Sequence, residues 1–217
     1  MEKFFLEAQK EIIKTLYSSN AIKINLDEGF QLKGGIVSPV YCSAGVLENT
    51  IDTRGRVVSA LFCWVGMNYP KVEAIVGVAS GGISWATSIA NSKCLPLLRA
   101  HSHPKNHGLH NQIDGEIPFD GAKTLVIDDV ITSGQSVLNV VKALREGTNG
   151  KKADVVAVCS IFDWDFSSVN KRFEEAGVKK YHVTSFNDVL TYGFEHGFLP
   201  KEARAKILRF REEQNSL

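Results

Sequence analysis

The stretch TLVIDDVITSGQS, Thr124 to Ser136, decides how this chain folds. It opens with the apolar run from Thr124 to Ile127, which is β-branched and too short for a helix, and which therefore predicts a buried parallel strand. Two acids, a loop of small residues and a helical apolar period that ends at Gly147 follow in that order. The pattern predicts a strand–loop–helix unit with both carboxylates at the carboxyl end of the strand.

This order of elements suits a sugar phosphate as ligand. The N–H groups of the loop and the positive end of the helix dipole can hold a phosphate dianion. Asp128 and Asp129 can accept hydrogen bonds from vicinal sugar hydroxyls, and open α/β sheets bind ligands at that end of their strands. Neither G-x-x-x-x-G-K-[ST] nor G-x-G-x-x-G occurs in the chain. The alternative interpretation is an ordinary turn with Asp129 on the surface.

The same stretch resembles the phosphoribosyl-diphosphate (PRPP) signature of the type I phosphoribosyltransferases. The resemblance implies that Asp128 and Asp129 hold the ribose hydroxyls, with Asp129 also taking part in catalysis. It implies that the segment from Thr132 to Ser136 wraps the 5′-phosphate. The PRPP-binding residues implied here are Asp128, Asp129, Val130, Ile131, Thr132, Ser133, Gly134, Gln135 and Ser136.

A second strand–loop–helix unit precedes the first. An apolar strand over 74–79 is followed by Ser80-Gly81-Gly82 and by a helix over 83–90. Such turns occur in any βαβ protein, so the pattern alone is weak. The resemblance implies that Ser80, Gly81 and Gly82 meet the diphosphate, since glycine lets the backbone approach an anion closely.

The segment from Phe30 to Gly45 contains glycines and a proline, and it predicts short strands joined by a shaped loop. It resembles the N-terminal hood of the orotate phosphoribosyltransferases through Gly34-Gly35-Ile36-Val37-Ser38-Pro39-Val40-Tyr41-Cys42. A turn at Ser38-Pro39 is the plain alternative. The chain departs from the family pattern at Ser43-Ala44-Gly45, where an acid, Asn and Arg are expected.

The resemblance also implies a site for the base. The residues implied to bind orotate are Lys33, Ser38, Tyr41, Thr132 and Trp164. Trp164 follows a predicted strand over 153–161, at a position where many orotate enzymes carry Arg and one subgroup an aromatic residue. Plain packing in the core is the alternative for this side chain.

The segment from Ala100 to Ile117 is long and polar and lacks an apolar period, which predicts a flexible lid. Its four histidines could be read as a metal site, but no carboxylate or cysteine lies between them. We favour an anion-binding lid that neutralises a leaving diphosphate. By resemblance, Lys105 and His107 are catalytic, and Arg99, His101, Lys105 and His107 contact PRPP.

The composition, 44% hydrophobic and 23% charged, is ordinary for a globular protein. The 217 residues suit one domain, and a net charge of +1 gives no reason to expect nucleic acid or membrane as a partner. The N-terminus lacks a signal-peptide core, so we expect a cytoplasmic protein. Its four separated cysteines are expected to be reduced thiols. A helix over 201–214 is expected to be solvated rather than a partner site.

The sequence therefore predicts an α/β fold of the type I phosphoribosyltransferase kind, with a mainly parallel sheet flanked by helices. Residues 1–217 are expected to form one domain, with a small hood over 18–48 and the lid over 100–117. The resemblance implies a homodimeric orotate phosphoribosyltransferase of pyrimidine biosynthesis that uses PRPP and Mg²⁺, with each lid acting on the neighbouring site. We expect the Mg²⁺ to be held mainly by the oxygens of the substrate and not by protein side chains alone. A phosphoribosyltransferase for another base, or a PRPP-binding regulator without catalysis, stays open as an alternative.

Overall fold

The computed structural model of the protein describes residues 2–104 and 112–216. Within these residues the elements follow one another as α1 (Glu2–Ser18), β1 (Ile22–Ile24), β2 (Phe30–Gln31), β3 (Val37–Ser38), β4 (Val40–Cys42), a 3₁₀ helix (Ala44–Glu48), α2 (Ile51–Asn68), β5 (Ala74–Val78), α3 (Gly82–Lys93), β6 (Leu97–Ala100), β7 (Ile113–Asp114), β8 (Ala122–Ile131), α4 (Gln135–Glu146), β9 (Ala153–Asp163), α5 (Ser167–Glu175), β10 (Lys179–Ser185), α6 (Phe186–Glu195), a second 3₁₀ helix (Lys201–Ala203) and α7 (Arg204–Ser216).

The central sheet has six strands in the order β10-β9-β8-β5-β6-β7. Its pairs are parallel except for the last, in which β7 runs antiparallel to β6. All five residues of β5 are buried, and β8 and β9 are buried over most of their length, because helices cover both faces of the sheet. The predicted α/β fold with a mainly parallel sheet is confirmed.

Strand β8 is longer than the predicted strand, because it continues through the acidic pair to Ile131. On one side its pairing with β5 ends at Gly77 and Ile127. On the other side it pairs with β9 as far as Ile131 and Asp163. Asp128 and Asp129 therefore lie where β5 has ended while β9 still supports the strand. The loop that follows β5 therefore lies beside the acidic pair at the carboxyl edge of the sheet.

Two small antiparallel sheets form the hood region over 18–48. One pairs β1 with β4 and the other pairs β2 with β3. The turn between β2 and β3 comes close to the central site, since a Cβ atom built on Gly34 would lie 3.1 Å from the Cβ atom of Ser133. The hood therefore covers the loop that follows β8.

The ends of the predicted lid are ordered parts of the sheet, so the expected unstructured segment over 100–117 is too long. Ala100 pairs with Ile113, and both side chains are buried, as is that of Ile117. Isolated apolar residues at sheet pairing positions show no periodicity, which is why the sequence did not reveal them. The central residues of the lid, 105–111, lie outside the described residues.

The C-terminal helix α7 is not the purely solvated helix that its charge suggested. Ile207 and Phe210 are buried, and Phe210 packs edge-on against Phe166 and Phe186. Lys206 on the same helix donates to the carbonyl of Leu26 in the hood. The apolar side chains that hold α7 are too few to outweigh its charged residues in a sequence pattern.

The remaining bulk expectations concern membranes and cysteines. Within residues 2–104 and 112–216, every helix is too short or too polar to cross a bilayer. All four cysteines are free, with Cys42 and Cys159 buried in the core.

Candidate active site

The acidic pair is the centre of the candidate site. Asp128 is 7% exposed, and one of its oxygens accepts a hydrogen bond of 2.9 Å from the N–H of Asp129. Burial and the neighbouring Asp129 carboxylate raise the pKa of Asp128 well above its ordinary value, while the positive charge of Lys33 acts in the opposite direction. A carboxylate that is costly to ionise in the free protein is well placed to accept hydrogen bonds from a ligand.

The loop after β5 lies directly against this pair. A Cβ atom on Gly81 would overlap the carboxylate of Asp129, and a Cβ atom on Gly82 would overlap the carbonyl of Ile127 and lie 2.8 Å from the Cα atom of Asp128. The peptide bond between Ala79 and Ser80 is cis. At Gly82 the clash is with backbone atoms, and at Gly81 it is with the carboxylate of Asp129. The sequence-predicted loop at Ser80, Gly81 and Gly82 therefore packs directly against the acidic pair.

The N-terminus of α4 forms the third wall of the site. Its N-cap residue, Gly134, has φ = 71°, in the left-handed region that favours glycine, and no side chain caps the helix. Thr132 is buried, whereas Ser133 and Ser136 are half-buried and Gln135 is exposed. An uncapped helix N-terminus leaves N–H donors and a positive dipole end facing the loop, which together favour an anion.

The hood residues predicted to bind a base do not all face the same way. Lys33 is exposed and close enough to act on the pKa of Asp128, and Tyr41 is 39% exposed beside Phe30. Ser38, by contrast, is fully buried, and its hydroxyl donates to the carbonyl of Val40 at 2.7 Å. The side chain of Ser38 is thus satisfied within the hood and shapes it.

Trp164 lies in the core. It is 3% exposed and packs against Phe162, Phe166 and Phe186, with ring centroids 4.8 to 5.8 Å apart. The backbone N–H of Trp164 donates to the backbone carbonyl of Ile131 at 3.0 Å. The structure therefore favours the packing interpretation of this side chain over direct contact with a base.

The described ends of the lid are anchored beside the site. His101 and Asp114 form a pair at 3.3 Å, and Arg99 is exposed on β6 opposite Asp114. Asn139 on α4 donates to the carbonyl of Ser102 at 3.1 Å. The predicted catalytic residues of the lid, Lys105 and His107, lie outside the described residues, so their geometry stays a prediction.

The sequence did not predict three sets of polar contacts that the structure shows. Asn139 accepts from the side chain of Gln135 at 2.8 Å while it holds the lid, and nothing in the helical pattern of α4 marks it. Glu48 accepts from the hydroxyl of Ser84 at 2.6 Å and so ties the hood to the first turn of α3. Lys180 pairs with a buried acid at the end of β9. The contacts of Asn139 with Ser102, of Glu48 with Ser84 and of Lys180 with Asp163 join segments that are distant in the chain, which local patterns do not report.

Comparison with known proteins agrees with this geometry. Residues 87–187 match the family model described as "Phosphoribosyl transferase". The fold and the edge of acids, glycines and helix N-terminus are those of a phosphoribosyltransferase.

Similarity to individual proteins indicates which phosphoribosyltransferase family the chain belongs to. An orotate phosphoribosyltransferase from Streptococcus gordonii is 33% identical over 208 residues, which cover 95% of this chain and 97% of the relative. The chain belongs to the orotate phosphoribosyltransferase family.

Two solved structures share the fold. The crystal structure of orotate phosphoribosyltransferase from Aeropyrum pernix matches with a TM-score of 0.69 and 23% identity, over 86% of this chain and 99% of that one. The structure of Leishmania donovani UMP synthase matches with a TM-score of 0.77 and 21% identity, over 94% of this chain and 42% of that longer chain.

Proposed function

We propose that this protein transfers the phosphoribosyl group of PRPP to orotate, giving orotidine 5′-phosphate and diphosphate in pyrimidine biosynthesis. The observation that carries the proposal is the convergence of the acidic pair, the Gly81-Gly82 loop and the uncapped N-terminus of α4 at one edge of the sheet. These groups offer acceptors for hydroxyls and donors for phosphates within one surface. A molecule that carries both kinds of group, such as PRPP, complements them.

The parts of PRPP distribute over the three walls in this proposal. Asp128 and Asp129 accept from the ribose hydroxyls, and the N-terminus of α4 binds the 5′-phosphate. The diphosphate meets the loop at Ser80, Gly81 and Gly82, where the two glycines let the backbone pack directly against the acidic pair. In this proposal the diphosphate, the ribose and the 5′-phosphate follow one another along the edge of the sheet, from the loop after β5 to the loop after β8.

The base would lie beneath the hood. Lys33 supplies a positive charge near the acidic pair, which suits the carboxylate of orotate, and exposed Tyr41 offers an aromatic face. Thr132, which the resemblance also implies for the base, is buried directly after the end of β8. Ser38 and Trp164 support this wall from inside rather than contacting the base.

The donor set fits Mg²⁺ that is shared with the substrate. Mg²⁺ is usually bound by one or two carboxylates together with substrate phosphates. Asp128 and Asp129 are carboxylates of this kind, one buried and one partly exposed. When bound, the ion would neutralise part of the charge on the diphosphate.

The chemistry requires positioning and charge stabilisation rather than a nucleophilic residue. As diphosphate leaves, the anomeric carbon gains positive character and negative charge collects on the departing oxygens. The site holds the base nitrogen in line with that carbon and excludes water through the hood and lid. Lys105 and His107 are the proposed lid groups that stabilise the departing charge.

We further propose a homodimer in which each lid acts on the neighbouring site. Lys105→Ala and Asp129→Ala subunits would be unfolded together and refolded. Half of the randomly mixed dimers are hetero, and each has one intact site, so about a quarter of wild-type activity is expected to return. Activity that stays at the parental level although mixed dimers form would show that the lid serves its own subunit.

One assay tests the proposed function. PRPP-dependent loss of orotate absorbance should be measured beside uracil and the purine bases, with the Asp128→Asn/Asp129→Asn variant as control. Orotate should be consumed by the wild type and not by the variant. Turnover of another base alone would replace the proposed substrate, and PRPP binding without any turnover would favour a regulator.

A further inference from the structure

A buried ion-pair network lies behind the phosphate-binding loop. Asp163 is fully buried at the end of β9, and the ammonium group of Lys180 contacts one of its carboxylate oxygens. The same ammonium lies 3.4 Å from Asp165, and the ring of His182 lies 3.8 Å from Asp163. The N–H of Asp165 donates to the second oxygen of Asp163 at 2.7 Å. Together these four residues form what we call the Lys180 network.

Electrostatics favour the ionised form of Asp163 at the centre of the network. Burial by itself raises the pKa of Asp163, but the contacts from His182 and Lys180 and the N–H of Asp165 outweigh it, and the net pKa is lowered. One potential metal-ligand atom from each of Asp163, Asp165 and His182 lies within 4.8 Å of the other two. Because the Lys180 ammonium already lies between the two carboxylates, it supplies the positive charge that a metal ion would bring.

The network touches the phosphate loop along two paths. Along the backbone, Asp163 pairs with Ile131, the residue before Thr132. Through side chains, Lys180 lies over the ring of Phe173 at 5.9 Å. A Cβ atom on Gly134 would lie only 2.7 Å from that same ring. One charged residue therefore supports both ends of the loop from Thr132 to Gly134.

We propose that Lys180 is a positioning residue for the phosphate-binding loop, acting through Asp163 and Phe173. This inference rests on the proposed use of PRPP. Removing the ammonium leaves a buried carboxylate without its partner, which strongly disfavours the present packing of α5 against β10. The loop that holds the 5′-phosphate would then lose its fixed geometry. The contact with the 5′-phosphate is the same in the ground state and in the transition state, so KM for PRPP should rise while kcat changes little.

The test compares Lys180→Met with wild type by calorimetric titration of PRPP with Mg²⁺ and by steady-state kinetics. Lys180→Met removes the charge and keeps an unbranched side chain that is one heavy atom shorter. We expect affinity for PRPP to weaken on the order of tenfold, with KM for orotate and kcat within about threefold of wild type. Lys180→Arg, which can pair with both carboxylates, should restore affinity.

Two further variants separate positioning from general loss of stability. Val65→Ala in the buried face of α2 should lower the melting temperature but leave PRPP affinity unchanged. Phe173→Leu keeps the ion pair but removes the ring beside Gly134, and it should weaken PRPP binding as Lys180→Met does; it serves as the test if Lys180→Met fails to fold. Folded Lys180→Met or Phe173→Leu protein with wild-type PRPP affinity would overturn the inference.

The outcome is distinguishable from failure of the proposed function. Calorimetry reads PRPP binding without orotate. Wild-type protein that binds PRPP but does not consume orotate would refute the proposed reaction. The comparison of PRPP binding between the wild type and the variants would still test the role of Lys180. Wild-type protein that does not bind PRPP would overturn both.

Discussion

The contact between Gly81 and Asp129 predicts an unusual result for Gly81→Ala. Gly81 has φ = −67°, a conformation that alanine adopts freely, so the backbone is not strained by the substitution. Its new Cβ atom would, however, overlap the carboxylate of Asp129. That carboxylate is the free end of a partly exposed side chain, and it can rotate away. The substitution should therefore displace one functional group without disturbing the fold.

The expected changes in stability and in PRPP affinity of Gly81→Ala can be estimated from the displaced carboxylate. Holding Asp129 away from its preferred rotamer costs about 0.5–1.5 kcal/mol, which corresponds to a fall of a few degrees in the melting temperature for a chain of this length. Losing one hydrogen bond that a ribose hydroxyl donates to an ionised carboxylate costs about 1.5–3 kcal/mol. PRPP affinity should thus fall about 10- to 150-fold.

Two other glycines provide matched controls. Gly55 on α2 has no atom within 4 Å of a built Cβ, so Gly55→Ala should leave PRPP affinity unchanged. Gly82 meets backbone atoms of Ile127 and Asp128 that cannot rotate away, so Gly82→Ala should lower stability by about 1–3 kcal/mol. PRPP titration and thermal unfolding would be measured on all three. Folded Gly81→Ala protein that binds PRPP like wild type would refute the assigned role of Asp129.

Two further predictions concern the carboxylate edge and the lid. Burial raises the pKa of Asp128 in the folded protein, so folding stability falls as pH rises above the ordinary Asp pKa; Asp128→Asn should stabilise the protein by about 0.5–2 kcal/mol at neutral pH while PRPP binding is lost. This gain should vanish in denaturant titrations below the ordinary Asp pKa of about 4, where the wild-type side chain is protonated in both states, and a gain that persists there would contradict the electrostatic cause. Asn139→Ala removes the hydrogen bond to Ser102 and should lower kcat by up to about tenfold with a smaller change in KM for PRPP, which steady-state kinetics would detect; an unchanged kcat would remove Asn139 from the lid mechanism.

The sequence by itself determined the local units of this protein. An apolar β-branched run, an acidic pair, small residues and a helical period stand next to one another in the chain, so their order needs no tertiary information. The same holds for the strand, glycines and helix around Gly81. Parallel strands of this kind place their carboxyl ends at one edge, and for that reason the α/β fold and the family were predictable.

Tertiary structure decided which side chains of those units meet. β9 is apolar on both faces, so its sequence has no alternation to show that Trp164 turns into the core. The ends of the lid join the sheet through single pairs such as Ala100 with Ile113, which carry no period. Gly81 against Asp129 and Lys180 against Asp163 are contacts between different strands and loops. Their existence depends on strand order and register, which long-range packing sets and local patterns do not encode.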